Sequence, residues 1–389
     1  MLSQAAASII TQLIRKFYES SSGLAPAEVA RREFGFGDYE RKIAFRHYAF
    51  ASEASLKRYL VESAPPFVSY SAAFYADPAA RPMERKGFIG AELIFDLDAT
   101  DLRLPCQSEH GRDWVCEKDF EAVRAETLRL IEDFLIPDFG FSEKELLMNF
   151  SGNRGYHVHV ASGPALELSA DARREVSEYI SGSGLDPDEI FRLVPLPKRG
   201  GGKRLAKVMG PKPTDGGWPG RIAKTFLANL GKGKEALTAM DIDAGTAGTL
   251  YKKRALIEMG VNSGNWDMVY IKDKSTFWRK VAAHQAIAQS DSIDKNVTKD
   301  LHHLIRLPGT LHGDTGLIAK RIGSVAELGG FDPMNDAIAF TDGSVRVKTA
   351  SVMAFHMRGE QFGPYNDTVV EVPTYAAAYM ILKRVAEPA

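Results

Sequence analysis

Two hydrophobic periods alternate along this chain. In the opening MLSQAAASIITQLIRKF, Ala6, Ile9, Ile10, Leu13, Ile14 and Phe17 recur at helical spacing and predict an amphipathic first helix. Aromatic Phe34, Phe36, Tyr39, Phe45 and Tyr48 are then interleaved with Arg31, Arg32, Arg41, Lys42 and Arg46. That mixture suits either a hairpin with an apolar inner face or a surface for bases and phosphates. In GAELIFDLDATDL, residues 90–102, the period is two: Leu93, Phe95 and Leu97 face one way, Ile94, Asp96 and Asp98 the other. Phe120, Val123, Leu128, Ile131 and Leu135 predict a core helix over 118–135. LLMNFSGNRGYHVHV, residues 146–160, reads as strand, tight turn and strand, with His157 and His159 on one face.

Beyond residue 165 the texture changes to short helices and loops, until about 290. Ser169 caps the helix in SADARREVSEYI, and residues 195–221, rich in Gly, Pro, Lys and Arg, read as a basic loop. In SIDKNVTKDLHHLIRLPGTLHGDTGL, residues 292–317, Thr298 is expected to begin a helix carrying Asp300, His302, His303 and Arg306, with Pro308 ending it. His312 follows in a glycine-bounded turn. The remaining residues alternate short strands with turns, a closing sheet edge that ends in a helix.

Length and composition narrow the classes. A chain of 389 residues holds two domains, or one domain with a large insertion. The formal net charge is −1, so any nucleic-acid contact needs local positive potential or a partner's help. Two cysteines exclude a disulfide scaffold and favour a reducing compartment. The N-terminus lacks the charge order of a signal peptide, and no apolar run reaches membrane-spanning length. The expectation is a soluble, intracellular protein.

The polar groups then acquire chemistry. Carboxylates at i and i+2 of a strand lie roughly 7 Å apart and repel, so Asp96 and Asp98 suit a divalent metal unless they are solvated surface acids. The turn Ser151-Gly152-Asn153-Arg154-Gly155 offers a hydroxyl, close-approach amides and a guanidinium fork, a set that suits a triphosphate. A plain hairpin with core histidines is the alternative. Cys106, His110 and Cys116 crowd one short loop with Asp119 behind them, suggesting a structural zinc in a closed shell. Two unrelated cysteines beside a surface histidine are the bland counterpart. Asp294 could complete a trio with Asp96 and Asp98, and Arg306 and His312 could reach the same phosphates.

FDLD, SGNRGYH, and Asp294 followed by IRLPGTLHGDTGL stand in a fixed order. Together they resemble the catalytic small subunit of the archaeal–eukaryotic DNA primase, archaeal in wording, over nearly the whole chain. The resemblance implies an α/β catalytic core of mixed sheets, residues 1–165 and 291–389, with a zinc loop at 104–120 and a mainly helical insertion at 166–290. It implies template-directed nucleotidyl transfer that makes short RNA primers on single-stranded DNA. Asp96, Asp98 and Asp294 would hold catalytic Mg²⁺ or Mn²⁺; Ser151, Arg154, His157, Arg306 and His312 would contact the nucleotide, joined by Glu33 and Arg46. Cys106, His110, Cys116 and Asp119 would hold Zn²⁺. Two departures stand out: Asn153 replaces a basic residue common in relatives, and Asp119 replaces a cysteine. The implied partners are an iron–sulfur-bearing large subunit in a heterodimer, single-stranded template and nucleoside triphosphates, in the cytoplasm of an archaeal cell. A repair or restart primase-polymerase using deoxynucleotides, and a non-catalytic binding subunit, are the competing readings.

Overall fold

The computed structural model describes residues 2–111, 114–161, 163–196, 206–268, 277, 281 and 295–389. Helix α1 (Gln4–Ser20) starts where the Ser3 hydroxyl accepts the Ala6 N–H at 3.2 Å, and it buries Ala6, Ile10, Ile14 and Tyr18. Ile9, Leu13 and Phe17 flank that stripe, half-buried.

Two four-stranded sheets follow. β1 (Phe34–Gly37), β2 (Phe45–Tyr48) and β3 (Phe67–Ser71) join the strand Leu304–Arg306 in the order Leu304–Arg306, β3, β1, β2. Phe34 and Phe36 turn inward onto Phe50, and Phe36 also meets Tyr59, as an apolar inner face requires. β4 (Ala73–Tyr75) and β5 (Phe88–Ala91) form a separate ribbon. The second sheet contains β6 (Leu93–Asp98), β7 (Leu146–Phe150) and β8 (Gly155–Val160), in the order Arg321–Ile322, β7, β8, β6. The helix Glu117–Arg129 covers β8 and buries Phe120 and Val123. Every pairing among the described residues is antiparallel, where the resemblance implied mixed sheets. The tight β7–β8 hairpin, with β8 inserted beside β6, sets that direction.

Two stretches differ from expectation. The helix at Lys295–Lys299 stops early, and Leu304–Arg306 is a strand paired to β3 through Leu304↔Ser71 and Arg306↔Ser69. The Asp300 carboxylate accepts the His302 N–H at 2.9 Å, an Asx turn that competes with continued helix and redirects the chain. At the other end, the helix Thr374–Leu382 is buried along all nine residues and lies against the sheet of Val369–Pro373, Ser344–Thr349 and Ala386–Pro388. A helix apolar all round is a core element, not an edge, and the chain finishes in a strand.

The chain divides into two compact units: Met1–Arg129, Ser142–Arg174 and Ser292–Ala389 form one, Leu130–Phe141 and Glu175–Asp291 the other. The second has its own core of Ile222, Phe226, Leu230, Leu250, Ile257 and Trp266, built on the helices Gly217–Lys232, Ala244–Lys252 and Arg254–Asn262. Its hairpin of Arg192–Pro195 with Ala206–Met209 flanks residues 197–205, so part of the expected basic loop lies outside the described residues. All the site geometry below belongs to the first unit.

Candidate active site

β6 and β8 lie side by side in a register that sets Asp96 opposite His157 and Asp98 opposite Gly155. The rest of β6 is buried, while the Asp96 and Asp98 side chains keep 28% and 31% exposure. Arg154 points two donors, Nε and Nη2, at Asp98 Oδ2 from 3.2 and 3.1 Å. Asp98 Oδ1 meanwhile accepts the Thr100 N–H at 2.9 Å and its hydroxyl at 2.7 Å, which fixes the carboxylate.

His157 Nε2 lies 3.5 Å from Asp96 Oδ1. Behind the ring, the Asn149 amide donates to Nδ1 at 3.2 Å and to the Phe150 carbonyl at 3.4 Å. Reversing that amide would set oxygen against oxygen, so Nδ1 is an acceptor and Nε2 carries the proton. Burial, with the nearby charges of His159, Arg306 and His303, holds the His157 pKa well below the ordinary histidine value. His157 is therefore a neutral N–H donor near pH 7.

The second and third sequence blocks meet at their turns. Ser151 Oγ accepts the Asn153 and Gly155 N–H groups at 3.3 and 3.2 Å, closing the turn. Gly152 adopts φ +84°, and its carbonyl accepts the Thr315 hydroxyl at 2.5 Å. Next to that junction, His312 Nδ1 accepts the Asp314 N–H at 3.2 Å, leaving the proton on Nε2. Its ring meets Phe67 edge-on at 5.2 Å. Burial, then the charges of Arg306, Lys42, Lys383 and Arg154, push the His312 pKa well below normal. Arg306 stacks on Phe67 at 5.0 Å and donates to the Val68 carbonyl at 3.1 Å, while its buried Nε has no hydrogen-bond partner among the described residues. Burial lowers its pKa to about 10, which still leaves a cation at neutral pH.

Glu33 is wholly buried at the start of β1. Its Oε1 accepts Arg46 Nε at 2.8 Å and the His47 N–H at 3.0 Å; its Oε2 accepts Arg46 Nη2 at 3.3 Å. Burial alone would raise the Glu33 pKa, but Arg46, Lys86 and His47 outweigh it and the net direction is down. Asp294 lies outside the described residues. The helix Lys295–Lys299, next in the chain, packs against β6.

Apart from these groups, Cys106, His110, Cys116 and Asp119 bring one ligand atom each to within 4.8 Å of one another. Asp119 Oδ2 accepts the Cys116 N–H at 2.9 Å and lies 3.0 Å from His110 Nε2. Burial pushes the Cys106 thiol up to about 11, with Cys116 and Asp119 adding to the rise. Two thiols, an imidazole and a carboxylate at this spacing can hold one metal ion.

Thr315, Phe67, Asn149, Thr100 and Lys86 also shape these groups and were not singled out from the sequence. Thr315 sits inside the third block and Thr100 directly after the acidic pair, so position alone could have found them; Phe67, Asn149 and Lys86 carry no local signal.

Residues 95–324 match the family described as DNA primase small subunit. The chain is similar to the protein named DNA primase small subunit PriS of Methanothrix thermoacetophila, 35% identical over 389 aligned residues that cover 96% of each chain. The protein of the same name in Methanococcoides burtonii is 34% identical over 386 aligned residues, again covering 96% of each. That of Natronomonas pharaonis is 33% identical, covering 96% of this chain and 95% of its own.

Proposed function

Because this chain belongs to the DNA primase small-subunit family, we propose that its carboxylate strand and paired turns carry out template-directed nucleotidyl transfer, joining nucleoside triphosphates into short RNA primers on single-stranded DNA. It is a catalytic primase subunit, an enzyme of nucleotidyltransferase type. The observation that carries the residue assignment is the junction of three distant segments: Asp98 gripped by Arg154, Asp96 facing His157, and Thr315 bonded to Gly152.

Asp96 and Asp98, hard oxygen donors left partly exposed on a buried strand, fit a hard divalent cation such as Mg²⁺ or Mn²⁺, with Asp294 as the third carboxylate. Ions held there would lower the pKa of the attacking 3′-hydroxyl and neutralise the leaving pyrophosphate. The chain's own groups divide the remaining work by charge. Arg154, Arg306 and Arg46 are cations for phosphate oxygens, and the Nε of Arg306, with no partner among the described residues, is a donor in reserve. His157 and His312 donate uncharged N–H groups, so their contribution needs no protonation and holds steady through neutral pH. Ser151 keeps the turn closed and retains its own hydroxyl proton for a phosphate oxygen. Asn153 supplies no cation, leaving Arg154 alone in that turn.

The Cys106, His110, Cys116 and Asp119 group fits Zn²⁺ in a structural role, since four protein ligands leave no open position. A small subunit implies a large one. An iron–sulfur cluster in the heterodimer would come from that partner, because this chain's two cysteines already lie in the zinc group. No helix among the described residues is long and apolar enough to cross a membrane; replication priming assigns the protein to the cytoplasm.

The test is primer synthesis from labelled nucleotides on unprimed single-stranded DNA, with and without the large subunit. Asp96→Asn should reduce synthesis about a thousandfold or more, the scale of metal-ion charge stabilisation, with an unchanged melting temperature. Normal synthesis by the variant would sink the assignment. Preference for deoxynucleotides and for preformed ends would instead favour the restart-type enzyme.

A further inference from the structure

Lys86 belongs to no motif, yet its side chain is 0% exposed, as is that of Glu33 beside it. Its ammonium lies 3.4 Å from Glu33 Oε2, donates to the Pro78 carbonyl and sits 5.4 Å from the centre of the Tyr75 ring. Arg46 and the His47 N–H also bond Glu33, Arg46 Nη2 at the same Oε2. Glu33 and Arg46 alone would form a neutral pair. A buried lysine is costly to desolvate, and packing alone would be served as well by an apolar side chain of similar length. What Lys86 adds is charge: Glu33, Arg46 and Lys86 together sum to +1, with Asp77 acting on Lys86 and Asp300 on Arg46 from outside the trio. Arg46, at 37% exposure, is the open end of that cluster, and its Nη2 also reaches the His302 carbonyl at 3.4 Å.

We propose that Lys86 is a positioning residue for nucleotide binding, offsetting the Glu33 carboxylate so that it does not cancel the charge Arg46 presents to the triphosphate. This rests on the reading of Arg46 as a phosphate ligand. Glu33 orients the Arg46 fork but also cancels its field. Lys86 restores the field without approaching the nucleotide.

Lys86→Gln retains an N–H donor for Pro78 and Glu33 and removes only the charge; Lys86→Met removes both. Each should raise KM for nucleoside triphosphate about tenfold, the effect of a unit charge about 10 Å away at intermediate dielectric, with kcat within about threefold of wild type. The double variant Glu33→Gln/Lys86→Gln restores the net +1 but loses part of the Arg46 alignment that Glu33 supplies, so its KM should fall below that of Lys86→Gln without reaching that of wild type. A purely structural role predicts the opposite ranking, with Lys86→Gln near normal and the double variant worst, KM following melting temperature. Should Lys86→Met fail to fold, Lys86→Gln and the double variant still decide. A KM for Lys86→Gln within about twofold of wild type, or a double variant no better than Lys86→Gln, overturns the proposal. Arg46→Met separates the two levels. If it raises KM and Lys86→Gln does not, the inference fails while the reading of Arg46 stands; if Arg46→Met leaves KM unchanged, that reading itself has failed.

Discussion

Gly152→Ala tests the junction on which the site geometry depends. The residue has φ +84°, and an added Cβ would lie 2.8 Å from His312 Cβ, 3.3 Å from the Ala319 nitrogen and 3.3 Å from the Leu317 oxygen. A left-handed backbone costs an L-residue about 1–2 kcal/mol. The collision adds about 1–3 kcal/mol, because the opposing atoms are a Cβ and two backbone atoms that no rotamer change can withdraw. The sum, about 2–5 kcal/mol, is a large part of the stability of a typical domain. Relief can come in two ways. The fold can absorb the strain and lose stability, or the turns can part, breaking the 2.5 Å bond from Thr315 to the Gly152 carbonyl and separating Arg154 and His157 from His312. Gly23→Ala is the control, since Gly23 shares a positive φ of +66° and a Cβ there would meet nothing within 4 Å. Urea denaturation and nucleotide KM should be measured on both variants. The control should lose about 1–2 kcal/mol with normal KM, while Gly152→Ala loses more, shows a several-fold higher KM, or both. Equal stability loss in the two variants with equal, unaltered KM would refute the claim that these turns are docked.

Burial of two neutral histidines makes stability depend on acid. The unfolded chain takes up protons on His157 and His312 as pH falls below about 6.5, whereas the folded chain, with both pKa values depressed, resists. Stability should therefore be fully present above that pH and fall as the solution acidifies toward the folded pKa values, by up to about 1.4 kcal/mol per pH unit per group. Urea midpoints measured below pH 6.5 should show a flatter slope in His312→Gln; an unchanged slope would remove His312 from the account. The thiol-bearing loop gives an independent test. Purified protein should carry one zinc ion per chain bound by the four clustered groups, and Cys116→Ser should lower both metal content and melting temperature. Metal-free wild type with the same melting temperature as metal-bound protein would show that the loop holds itself.

What the sequence made legible was local. The period of two through Leu93–Asp98 put both carboxylates on one face, and the glycines in Ser151–Gly155 marked a tight turn: a Cβ on Gly155 would meet the Leu97 oxygen at 1.9 Å. Where the reading failed, a short polar contact had outvoted a periodic pattern. Asp300 captures the His302 N–H and ends the helical run, so Arg306 arrives on a strand beside β3 and stacks on Phe67. Nothing in the spacing of Thr298 to Pro308 announces this, because the strand forms only when β3, more than two hundred residues earlier, offers its edge. Charge state was equally hidden. The sequence marks His157 and His312 as nucleotide contacts without fixing their charge, and burial makes them neutral donors. Lys86 carries no signal in the sequence at all, and burial against Glu33 makes it part of a cluster with Arg46. In each case the residue type is local information, while its protonation and direction are set by segments distant in the chain. A motif can therefore name the atoms available to a phosphate, but the fold determines which of them carry charge when it arrives.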